Sequence, residues 1–185
     1  MSKKVWIFVG AMFALITLAV RIVPHVPNLV PVGALALWAG AYLNKRVAVP
    51  LIVGVMLLGD ARDLLSGQYS LSLAVVIYGA MLFYIPIGAV LSHRMVGGWR
   101  IVAPFVSVFI GSLIFFVLTN GAVWAFGSWY PKTGVGLMAC LVAGIPFLRN
   151  SLVANTEGVA IFFGATALLL AIPRIGEWRT ARQTI

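Results

Sequence analysis

Arg21-Ile22-Val23-Pro24-His25-Val26-Pro27-Asn28-Leu29-Val30-Pro31-Val32-Gly33 is the stretch on which the fold turns. Pro24, Pro27 and Pro31 fall within eight residues. Each lacks a backbone N–H and biases the residue before it away from helical geometry, so the stretch reads as a kinked connector. Apolar runs at 5–20 and 32–43 flank it. Between two membrane segments, such a connector must lie outside the hydrocarbon or be enclosed by protein, because lipid cannot satisfy its backbone. It carries Arg21, His25 and Asn28 on a stiff scaffold. Two readings stand: a rigid interfacial turn, or the first wall of a binding site.

The 185-residue chain as a whole is 62% hydrophobic and only 9% charged, with a mean hydropathy of +1.07. That balance excludes an ordinary soluble domain and implies an all-α integral membrane protein with a single membrane domain. Met1-Ser2-Lys3-Lys4 leads straight into an apolar run without a small-residue cleavage site, as expected of an uncleaved signal anchor. The net charge of +9 sits in short loops at span ends and reads as membrane orientation. No basic stripe with interleaved aromatics is present, so no nucleic-acid partner is expected. A single cysteine, Cys140, leaves no internal disulfide and no multi-cysteine metal site.

Hydropathy and helix breakers predict six transmembrane helices, at about 5–22, 32–44, 46–59, 70–92, 101–120 and 152–172. An extra short helix at 134–147, closed by Pro146, is expected in the loop between spans 5 and 6. The second and third segments are short enough for a re-entrant pair, but the Lys45-Arg46 turn favours two spans, since it is costly to leave in the membrane. With six spans and the N-terminus inside, nine of the 13 Lys and Arg residues fall on the inner side. The positive-inside rule then places both termini in the cytoplasm.

That orientation sends three unusual connectors to the outer face. The first is the proline loop. The second runs from Gly59-Asp60-Ala61-Arg62-Asp63 to Ser70. Its carboxylates, three apart, suit either a salt-bridged helix end or acid–base and cation chemistry. The third holds Trp124, Trp129, Tyr130 and Lys132, between Asn120 and Asn150. Its aromatics suit an interfacial belt or a flat wall for a planar ligand. In the fourth span, Tyr78, Gly79, Tyr84 and Pro86 are candidate cavity-lining residues. Polar and aromatic complexity on one face is what a substrate-capturing membrane protein needs. The candidate contacts from this clustering are Asn28, Asn120, Trp124, Tyr130 and Asn150, with hydrogen bonds from Asn and Tyr and stacking on Trp.

Several strings then carry a resemblance. They are Arg21-x-x-Pro24-His25-x-Pro27-Asn28, Pro31-Val32-Gly33-Ala34 with Asp60, Thr119-Asn120 with Trp124, Tyr130-Pro131-Lys132-Thr133, and Ile145-Pro146-Phe147-x-Arg149-Asn150. Over roughly residues 20–164 the chain resembles a family of small bacterial six-span proteins similar to the S-components of energy-coupling-factor (ECF) transporters. The resemblance implies a substrate-binding subunit of the bacterial cytoplasmic membrane for vitamin or micronutrient uptake. Its site would be on the outer side, built from the connectors after spans 1, 3 and 5. Within the group it is similar to the solitary cobalamin-uptake type, thought to work without a dedicated coupling module. The implied partners are the lipid bilayer, a vitamin-sized ligand such as cobalamin, and an ECF coupling module or none. No catalytic cofactor is implied. Members of the cobalamin branch can carry a cobalt-ligating membrane cysteine in the fourth span. In Tyr78-Gly79-Ala80-Met81 this chain has Ala80 there, and Cys140 lies elsewhere, so the chain lacks that ligand, was altered there, or binds something else; His25 reads either as an alternative imidazole donor to cobalt or as a structural loop histidine.

Two other classes remain open. An intramembrane enzyme would use His25 with Asp60 or Asp63, but no nucleophile–base or His-Glu-x-x-His motif is present. An assembly subunit would dock through Gly10 and Ala14, four apart on one helix face.

Overall fold

The computed structural model describes residues 2–23, 26–65, 71–93 and 97–183, with the side chains of 62–64 and 172–183 excepted. Among the described residues the fold is all helical. The helices are α1 (Lys3–Ile22), α2 (Val32–Tyr42), α3 (Lys45–Leu65), α4 (Leu71–Leu82), α5 (Tyr84–Ser92), α6 (Trp99–Phe126) and α7 (Gly134–Gln183).

The bundle is built around α2. Every residue from Val32 to Gly40 is buried. An apolar face on one side only would produce a helical period; this helix is apolar all round because it is covered all round. Trp38 is fully buried at its centre, with Phe13 of α1 edge-on at 5.0 Å and its Nε1 donating to Thr166 Oγ1 of α7 at 2.8 Å. Against α5 the backbones touch: a Cβ on Gly40 would lie 2.1 Å from Ile85 O, and one on Gly88 would lie 2.0 Å from Leu37 O. Only glycine permits that approach. Eleven residues rise about 16 Å, roughly half the hydrocarbon thickness, so α2 is too short to cross a membrane by itself.

Four helical stretches do have the length and hydropathy to cross: Lys3–Ile22, Leu71–Ser92, Trp99–Phe126 and Gly134–Ala171. The second corresponds to the expected span at 70–92, interrupted at Phe83 between α4 and α5. Pro86 has no N–H to donate to Leu82 O at that interruption. The third segment, expected to end near 59, runs on as α3 through Pro50 and Gly54 to Leu65.

The largest correction concerns the C-terminal third. No separate helix ends at Pro146: residues 134–147 are the opening turns of α7, which continues through Arg149-Asn150-Ser151 without a break. A proline deletes one helical hydrogen bond, and neighbouring helices can hold the chain helical on both sides of it. α6 also runs past the expected 101–120, to Phe126, which puts Trp124 on a helix. The two helices pair along their extra length, with Cys140 Sγ donating to Asn120 O at 3.4 Å. Gly10 and Ala14 are buried in the bundle, Gly10 against Trp38, Leu43 and Leu51, so this pair is not an open docking face.

Candidate functional site

At one end of the bundle, the C-terminal turns of α1, α3 and α6 meet α7 and the described part of the proline loop. They enclose a cavity of about 330 Å³. A second lobe of about 350 Å³ adjoins it through Pro27, Asn28, Ile77 and Thr119, which line both. Described residues from each of the three stretches singled out in the sequence therefore converge, those of the second being Gly59 and Asp60 of α3, while 66–70 lie outside the described residues. Arg21, Pro27, Asn28 and Asp60 line the first lobe, and Asn120, Trp129 and Tyr130 the second. A larger apolar groove of about 660 Å³ lies between α5 and α6, but its lining carries no charged side chain.

The first lobe is organised by a charge pair. Arg21 Nη2 donates to Asp60 Oδ1, and Tyr78 Oη donates to Asp60 Oδ2 at 3.1 Å. Asp60 is only 5% exposed. A carboxylate in an apolar bundle needs such partners, since the desolvated charge would otherwise be strongly destabilising. α1 and α3 can join because Gly59 has no side chain: a Cβ there would fall 2.1 Å from Arg21 Cδ. Asp60 thus takes a cation from α1, 39 residues away. The side chains of Arg62 and Asp63 lie outside the described residues.

The roof is the proline loop. Asn28 has φ +62°, the left-handed region that asparagine tolerates better than most residues. The Leu29 amide bonds Val26 O at 3.0 Å, and Asn150 Nδ2 of α7 donates to Pro27 O at 3.1 Å. Deeper in, Asn155 of α7 accepts from the Ala34 amide at 3.0 Å, satisfying a first-turn N–H of α2. Its Nδ2 donates to Ser112 and Ser151, both at 3.2 Å, and Tyr84 Oη donates to Ser112 Oγ at 3.1 Å.

The aromatic connector closes the second lobe. Trp124 Nε1 donates to Pro131 O at 2.9 Å. Lys132 Nζ donates to the Trp124 and Gly127 carbonyls at the end of α6 and lies 5.8 Å from the Trp124 ring centroid. This cation satisfies carbonyls that the helix end leaves free.

The predicted site residues divide accordingly. Asn28, Asn120 and Tyr130 line the lobes, and Asn120 also donates to Phe116 O at 2.9 Å. Tyr78 acts on the first lobe through Asp60. Asn150 anchors the loop. Trp124 is absent from both linings and braces the connector, while the more exposed Trp129 lines the second lobe. Ala80 is buried and lines neither lobe. His25 lies outside the described residues.

Sequence reasoning left Arg21, Thr119, Ser151 and Asn155 out of its site residues. One signal for Arg21 was available: spans at 5–22 and 46–59 put Arg21 and Asp60 at the same end of two helices. Among the described residues no three His, Cys, Asp or Glu side chains come together as a metal site requires.

Neither a curated protein nor a solved structure matches the chain. The match to a family of unknown function, DUF6580, covers residues 1–175, and the chain belongs to that family.

Proposed function

We propose that this protein captures a vitamin-sized micronutrient at the outer face of the bacterial cytoplasmic membrane for uptake. It would act as an S-component-like subunit of an energy-coupling-factor transporter or as a solitary carrier. The observation that carries the reading is the convergence of the proline loop, Gly59 and Asp60 of α3, and the aromatic connector after α6 on one two-lobed cavity. Each lobe lies near the lower end of the range for small-molecule sites, roughly 300–1,000 Å³. A positive-inside orientation puts that end of the bundle outside.

Cobalamin is the ligand the sequence resemblance favours. A corrinoid is larger than either lobe, so it would lie across both and displace the Pro27–Asn28 roof. The experiment is an absorption spectrum of the detergent-purified protein after expression with cobalamin, followed by calorimetry with a panel of vitamins. A stoichiometric corrinoid band supports the cobalamin form, and its shape reports the axial ligand, including imidazole from His25. A colourless protein that binds a smaller vitamin keeps the capture reading and removes the corrinoid. A protein that binds no member of the panel overturns both.

A further inference from the structure

Most polar groups around the two lobes are already engaged by the protein. Thr119 Oγ1 donates to Phe115 O at 2.8 Å, and Asn120 Nδ2 donates to Phe116 O. Asn155 uses both ends of its amide on Ala34, Ser112 and Ser151. Each Asp60 oxygen accepts a hydrogen bond, one from Arg21 and one from Tyr78. Arg21 is the cation on this lining. Its side chain is 19% exposed and lines the first lobe, it places Nη2 on Asp60, and its buried Nε has no partner among the described residues. A guanidinium has five N–H donors and no acceptor, so the unspent hydrogen-bonding capacity at this wall is donor capacity on a cation.

We propose that Arg21 is the subsite for an anionic acceptor on the captured ligand, a carboxylate or a phosphate, with Asp60 and Tyr78 holding the guanidinium in position. The inference rests on the capture reading above and adds the chemical class of the ligand. The planar guanidinium fork suits both anions, and a charge-assisted bond gains strength where water is excluded. Asp60 has two functions here. It keeps Arg21 from standing as an unpaired charge in an apolar bundle, and it competes with the ligand for the same donors.

The test uses the full chain in detergent and matched probes that differ in the anionic group: nicotinate and nicotinamide, pantothenate and pantothenol, biotin and its amide, flavin mononucleotide and riboflavin. Isothermal titration should show the anionic member of a pair binding at least ~10-fold more tightly. Arg21→Gln should remove that preference. Where Arg21→Gln does not fold, Asp60→Asn decides. It retains a hydrogen-bonding group but releases the guanidinium, so affinity for the anion should rise several-fold while the neutral member is unaffected.

Should cobalamin be the probe that binds, its phosphodiester is the anionic group, and Arg21→Gln must weaken it by a similar factor. Equal or tighter binding of neutral members overturns the anion subsite and leaves the capture reading in place. So does an anion preference that survives Arg21→Gln, or one that Asp60→Asn leaves unchanged. No binding by any probe, cobalamin included, overturns the capture reading and this inference with it.

Discussion

Arg21 and Asp60 illustrate how a polar contact inside an apolar bundle is both a stabilising element and a liability. Removing either partner leaves the other charge buried, at a cost of about 3–5 kcal/mol, whereas replacing both with apolar residues is close to neutral. Arg21→Met and Asp60→Leu should each lower the thermal unfolding midpoint in detergent, and the double variant should recover most of the loss. Equal, additive losses would show that the pair is not coupled. Asn155 makes a second residue-level case. It serves α2, α6 and its own helix at once, so Asn155→Leu should cost about 2–3 kcal/mol by the same measurement. Asn28, Asn120 and Tyr130 were legible in the sequence because their connectors are unusual. Asn155 was not, because the sequence showed only a polar residue in the first turns of a helix. Its importance comes from three partners 4, 43 and 121 residues away.

At the scale of elements, two features decide the architecture. The first is the backbone contact between α2 and α5. Gly88→Ala would drive a methyl into Leu37 O and force the helices apart, so the variant should elute as aggregate or lose its cooperative unfolding transition. Gly79→Ala meets nothing within 4 Å and should behave as the parent protein, which makes it the matched control. The second is the continuity of α7. Pro146 and the Arg149-Asn150-Ser151 cluster read as a helix end, yet the helix passes through both. Local breakers weaken a helix by a few kcal/mol at most, and packing along α6 outweighs that. Boundaries were therefore the poorly legible part of the fold, whereas the apolar segments themselves were plain.

For the whole molecule, the informative property is polarity from end to end. One end gathers the charge pair, the proline loop and the aromatic connector; the other carries the basic Lys45-Arg46 turn. The capture reading requires the first end to face outward. On a Cys140→Ala background, cysteine at Ser128 should react with a membrane-impermeant maleimide in intact cells, and cysteine at Lys45 should react only after lysis. Both positions are exposed in the structure. The reverse pattern would place the cavity in the cytoplasm and remove the uptake reading.

Composition and hydropathy alone determined that this is an all-helical protein with segments able to cross a membrane, because burial in lipid demands apolar runs and internally satisfied backbone. The count of basic residues gave the expectation that three irregular connectors share one end, and the structure brings the proline loop, Asp60 and the aromatic connector together there. Tertiary structure decided which polar groups meet. Arg21 found Asp60 on another helix, Trp124 turned to its own connector, and α2 became the enclosed centre of the bundle. The physical reason is range. Hydropathy and helix breaking act over a few residues, whereas a hydrogen bond or a glycine contact between helices depends on rotation and depth, which packing alone sets.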